Sequence, residues 1–154
     1  MGGMVRVDRD EAIRRIAEAC SACHEVAAAY LFGSALGDMR PDSDIDVGVV
    51  LRPDEESAPK ASFRHELQLQ GDLEQQLGSQ DGHRFQVTVF KASVGQSFFV
   101  VNVLQSAVLA YAADRAALSE FLERVAYLHR RDGPRHWAAL AEVNGWDLRS
   151  IHRG

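Results

Sequence analysis

Two short apolar runs, VAAAYLF (Val26–Phe32) and IDVGVVL (Ile45–Leu51), are joined by GSALGDMRPDSD. Each run is bounded by turn-forming residues and is short for a helix, so each reads as a buried strand. The first stops at Gly33 and the second at Arg52-Pro53. A Gly-Ser turn therefore leaves one strand, and an Asp-x-Asp step, Asp44 and Asp46, leads into the next.

The remaining segments alternate around this pair. Asp8 or Asp10 can cap a helix whose apolar positions Ile13, Ile16, Ala17 and Cys20 recur at helical spacing. RPDEESAPKAS is polar, carries two prolines and reads as a loop. Phe63, Leu67, Leu73 and Leu77 fit a helix with a broken stripe, and GSQDGH then turns the chain. Phe85–Phe90 alternates as a third strand. Residues 97–104 are apolar on most sides, which predicts a buried helix, and Val108–Tyr111 predicts a short fourth strand. Asp114 caps a helix carrying Leu118, Phe121, Leu122, Val125 and Leu128, and Pro134 suits the first turn of a last helix. Helices and short strands in this order give an α/β or α+β class.

A chain of 154 residues is one domain's worth, able to bury about two-thirds of its unfolded surface. The expectation is a single domain over 1–154 with C-terminal helices from about 114. No run approaches the roughly 18 apolar residues of a membrane helix. The N-terminus lacks an apolar signal segment, and Arg6 breaks the myristoylation pattern. These features read as a soluble, cytoplasmic protein. A net charge of -5 argues against strong nucleic-acid binding, which needs clustered Lys and Arg. The one basic stretch, HRRDGPRH (His129–His136), reads as a solvated helix end.

Cys20-Ser21-Ala22-Cys23-His24 spells the haem c attachment string. Haem attachment requires export, and zinc would require a second ligand pair that two cysteines cannot supply. Small thiols three apart beside Ile13, Ile16 and Ala27 read as core packing.

The chemistry concentrates at Gly33-Ser34 and Asp44-x-Asp46. Side chains alternate along a strand, so the two carboxylates share a face about 7 Å apart at the backbone. Two such charges repel, and a divalent cation between them removes that cost. Mg²⁺ (or Mn²⁺) suits the pair, because it prefers one or two carboxylates together with substrate phosphates and water. A glycine after a strand lets the backbone approach a ligand closely, and successive N–H groups opening a short helix favour an anion. Ser34 adds a hydroxyl. Phosphate cradle plus metal carboxylates is equipment for attack on a nucleoside triphosphate. An EF-hand over Asp42, Asp44 and Asp46 fails, because Val47 stands at the glycine position and Pro53 at the twelfth. A plain polar turn is the bland alternative.

LFGSALGDMRPDSDIDVGVV resembles the signature of the DNA polymerase beta-like nucleotidyltransferase superfamily, in particular its minimal nucleotidyltransferase branch. The resemblance implies a nucleotidyltransferase fold, a small mixed sheet with helices mainly on one face. It implies that NTP, ATP by preference, is bound at Gly33 and Ser34, with catalytic Asp44 and Asp46 holding the metal. It also implies an antitoxin role in a toxin–antitoxin pair, with transfer of AMP to a tyrosine hydroxyl of a HEPN-domain toxin. Two departures stand out. The spacer from Ser34 to Asp44 holds nine residues and lacks the arginine common there. The third carboxylate, which the family places on the next strand, falls in RFQVTVF, where the inward positions are Gln86 and Thr88.

The reading is thus a nucleotidyltransferase that passes a nucleoside monophosphate to a hydroxyl on a partner protein. Its rival is a catalytically weak module of the same fold that neutralises a partner by contact, favoured by Gln86. A transferase acting on a small-molecule antibiotic is disfavoured by the short chain. Whether the protein forms a homo-oligomer is left open.

Overall fold

The protein's structure is a computed structural model, and it describes residues 6–53 and 62–144. Helix α1 (Arg9–Ser21) leads into β1 (Val26–Phe32), a 3-10 turn (Gly33–Leu36) and β2 (Ile45–Leu51). Helix α2 (Ser62–Leu77), strands β3 (Ser79–Gln80) and β4 (His83–Val89), helix α3 (Ser97–Leu104), strand β5 (Val108–Ala112) and helix α4 (Arg115–Asn144) follow. Both strands that flank the Gly-Ser turn keep the bounds the sequence predicts.

The strands form one mixed sheet in the order β3-β4-β2-β1-β5. β1 lies antiparallel to β2 and to β5, and β4 lies parallel to β2 and antiparallel to β3. Alternation assigns the faces. Leu31, Ile45, Val47, Val49, Phe85, Val87 and Val89 point into a core closed by α1 and α2. Tyr30, Val50 and Phe90 point the other way, into a smaller cluster with Val100 of α3 and Leu118 and Val125 of α4. The α+β nucleotidyltransferase fold expected from the sequence is present. One refinement concerns the helices, which are shared between the faces: α1 and α2 cover the larger core, α3 and α4 the smaller.

Asp8 caps α1, its Oδ1 accepting from the Glu11 N–H at 3.1 Å. Asp114 does the same for α4, accepting from the Ala117 N–H at 2.9 Å. In α2 the buried line is Leu69, Leu73 and Leu77, one turn apart. Phe63 and Leu67, expected on that stripe, are exposed instead. The outer edge of β4 is closed by α2, because Glu74 Oε2 and Gln70 Oε1 accept from the N–H groups of Val87 and Val89, each at 3.1 Å.

Several expectations need correction. The third strand starts at His83, two residues early, because Asp81 (φ 52°) and Gly82 (φ 83°) make a two-residue hairpin to the short β3. Such Asp-Gly turns match the twist of the strands they join. His83 is buried, and its Nδ1–H donates to the Ser43 carbonyl at 2.7 Å. Helix α3 is not buried throughout: Ser97 and Val100 are, whereas Phe99 remains 44% exposed. No new helix starts at Pro134, which lies inside α4. Proline removes one helix hydrogen bond; Pro134 and Arg130 both face solvent, so water can meet the carbonyl left over. The basic stretch from His129 consequently sits within a helix and not at its end. There Asp132 is buried and pairs with Arg131 at 3.1 Å.

Cys20 is buried and Cys23 half-buried, both as free thiols. Burial pushes the Cys20 thiol up to about 12. Most of the RPDEESAPKAS loop lies outside the described residues. Among the described residues no helix is long and apolar enough to cross a membrane.

Candidate active site

β1 and β2 run antiparallel side by side, so the last residue of β1 lies opposite the second residue of β2. Phe32 is the Cα partner of Asp46, and Val47 partners Leu31. On its other side Asp46 partners Gln86 of β4. Gln86, Asp46 and Phe32 therefore form one row across three strands, on the sheet face opposite the larger core.

Gly33 leaves β1 with φ at +77°, a conformation that costs glycine nothing and other residues strain. This bend swings the chain over Asp46. A β-carbon on Gly33 would stand 2.4 Å from Asp46 Oδ2 and 3.3 Å from its Cγ. The carboxylate thus rests directly against the glycine. The 3-10 turn then proceeds through Ser34, which is exposed, to Leu36, and Gly37 N–H closes it on the Ser34 carbonyl at 3.0 Å. The leading N–H groups of such a turn have no partner within it and are available to an anion.

Asp44 precedes β2 and is exposed; Asp46 is half-buried. Burial, and secondarily the nearby Asp44 charge, hold the Asp46 carboxyl above its ordinary proton affinity. A carboxylate whose charge is disfavoured by burial and by a neighbouring carboxylate is a place where a cation is favoured. No group of three or more His, Cys, Asp and Glu able to hold a metal occurs among the described residues. The donor set fits Mg²⁺, which fills its remaining positions with water and phosphate oxygens.

The four residues singled out in the sequence, Gly33, Ser34, Asp44 and Asp46, therefore lie at one end of the β1–β2 pair. Gln86 occupies the neighbouring strand position beside Asp46 and is exposed. Asp81 stays in the β3–β4 hairpin turn, where its carboxylate accepts from Gln80 Nε2 at 3.5 Å. One feature escaped the sequence reading. Phe32 and Phe90 lie 5.6 Å apart between ring centres, and Phe99 of α3 stands edge-on to both at 6.4 and 6.3 Å. Phe32 was visible as the end of an apolar run, but nothing local marks Phe99 as its neighbour.

A mixed sheet thus has a glycine turn at the end of β1 resting against Asp46, the one carboxylate within β2. The family model described as Polymerase beta, Nucleotidyltransferase, matches residues 14–116, more than half of the chain. The protein belongs to that nucleotidyltransferase family, and an NTP substrate follows from membership. No curated protein and no solved structure matches the chain.

Proposed function

We propose that the protein transfers a nucleoside monophosphate from an NTP, ATP by preference, to a hydroxyl group, using Gly33, Ser34, Asp44 and Asp46. The observation that carries this reading is the contact of Asp46 with Gly33, which joins the carboxylate pair to the phosphate turn. The Gly33-Ser34 turn receives the triphosphate through its N–H groups and the Ser34 hydroxyl. Asp44 and Asp46 would hold Mg²⁺ (or Mn²⁺), which when bound offsets phosphate charge and polarises the phosphoryl group under attack. In the transfer the acceptor oxygen bonds to the α-phosphorus, the bond from that phosphorus to the bridging oxygen breaks, and pyrophosphate leaves. The acceptor proton must go elsewhere than Gln86, whose amide is no base near neutral pH.

For the acceptor, the family resemblance supports a hydroxyl on a HEPN-domain toxin, with this protein as the antitoxin of the pair. The second reading, a module that neutralises such a partner by contact alone, is favoured by one observation: an uncharged Gln86 stands beside Asp46. The test is labelled-ATP transfer to the product of the neighbouring gene by wild type and Asp46→Asn. Labelling by wild type that Asp46→Asn loses supports the transferase. Tight partner binding without labelling, unchanged in Asp46→Asn, supports the contact module.

A further inference from the structure

The aromatic cluster lies on the same sheet face as Asp46 and begins in the same row, at Phe32. Strands lie about 4.8 Å apart, so a nucleotide whose phosphates meet Gly33 and Ser34 has its remaining parts within reach of these rings. Phe90 is buried and packs over Gly48, where a β-carbon would stand 1.9 Å from its Cζ. Phe32 is half-buried and packs against both other rings. Phe99 differs from both. It is held edge-on by Phe32 and Phe90, with interplanar angles of 79° and 78°, and yet keeps 44% of its surface in water. A part-exposed phenyl held edge-on by one buried and one half-buried ring is a fixed apolar surface on the sheet face that carries Asp46.

We propose that the base of the bound nucleotide stacks on Phe99. The proposal rests on the nucleotide reading above and adds a base subsite to it. Phe99 comes from α3, a helix that packs on the smaller core through Val100 and is separated in sequence from the phosphate turn. The subsite is therefore assembled only in the folded protein. Phenyl rings offer no hydrogen-bonding groups, so this surface accepts any base by its π-face, and selection among bases is not its task.

The test separates base from phosphate. Calorimetric titrations of Mg²⁺–ATP and of Mg²⁺–tripolyphosphate are made on wild type, Phe99→Ala, Phe99→Leu and Phe99→Trp. Truncating a stacking ring is expected to weaken ATP about 5- to 150-fold while tripolyphosphate binding stays unchanged. Phe99→Leu, which keeps apolar volume but loses the ring face, should resemble Phe99→Ala, and Phe99→Trp should retain ATP. Unchanged tripolyphosphate binding also shows that the variants are folded. Equal affinity of wild type for the two ligands, or an ATP affinity indifferent to Phe99→Ala, overturns the base subsite and leaves the phosphate site standing. A wild type that binds neither ligand overturns the nucleotide reading and the subsite with it.

Discussion

Gly33 and Asp46 are fitted to each other: the space where a side chain at 33 would begin is the space that Oδ2 of Asp46 occupies, 2.4 Å from the missing β-carbon. The position is doubly restricted, because the backbone there is also left-handed. Gly33→Ala should cost about 1–3 kcal/mol of stability and should displace the Asp46 carboxylate. Its effect on Mg²⁺–ATP binding is expected to exceed that on stability, at tenfold or more. Thermal unfolding and calorimetry on one preparation check both, and unaltered nucleotide binding would break the link between turn and carboxylate.

Asp46 gives a pH signature with a definite sign. Its proton affinity is raised in the fold by burial and by Asp44. The native state therefore keeps a proton that the unfolded chain has released, and stability falls as pH rises from the ordinary value of 3.8 through the raised one. In metal-free buffer at pH 7, Asp46→Asn should melt on the order of 1–5 °C higher than wild type, and the gap should narrow toward pH 4. A variant less stable than wild type at both pH values would contradict the charge repulsion.

Gln86 tests what the row lacks. It stands beside Asp46 at the strand position where the family resemblance places a third carboxylate. General-base assistance is typically worth about 10²–10⁴-fold, so Gln86→Asp or Gln86→Glu should raise the rate of AMP transfer by up to that order. ATP affinity should change much less. Single-turnover labelling measures this, and wild-type activity that neither acid improves would mean that another group serves the attacking hydroxyl.

The two thiols should behave differently. Cys20 is buried with its thiol pushed up to about 12, whereas Cys23 is half-buried. At pH 8 the native protein is expected to be alkylated at Cys23 first, with Cys20 modified only as fast as the chain opens. Peptide mapping after timed iodoacetamide treatment decides the order, and the purified protein should carry no stoichiometric zinc.

Gly48 sits beneath the Phe90 ring, and an added methyl would meet Cζ at 1.9 Å. Gly48→Ala should lower stability by about 1–3 kcal/mol, as overpacking of a tight core does. Phe90→Leu in the same chain should recover part of the loss in a double-mutant cycle. Additive losses would show that the two positions are not coupled.

How far the sequence reveals this structure depends on whether the controlling interaction is local. β1 and β2 could be placed to the residue because both are apolar runs closed by glycine or proline. Alternation along the strand puts Gln86 and Thr88 on one face, and the family resemblance brings that strand to the site; the parallel register that sets Gln86 and not Thr88 against Asp46 is long-range and could not be read. Nor could the fit of Asp46 against Gly33, since it depends on how two antiparallel strands meet. The apolar neighbours of Phe99 predict a buried helix; which side α3 turns to water is decided by its packing partners. At Pro134 a sound local rule lost to the continuity of a long helix. The two-residue β3 was invisible for the simplest reason, having too few residues to show a period.

The seal along the edge of β4 has a dynamic consequence. The amide protons of Val87 and Val89 are held by the side chains of Glu74 and Gln70, and not by another strand. Their exchange with deuterium cannot then wait on a strand separating; it follows whatever lets α2 lift from the sheet. Two amides in the second half of β4 thus become a clock for the undocking of a helix, readable one residue at a time. Gln70→Ala and Glu74→Ala should each quicken one of them and leave the amides shared between β1 and β2 at their former pace.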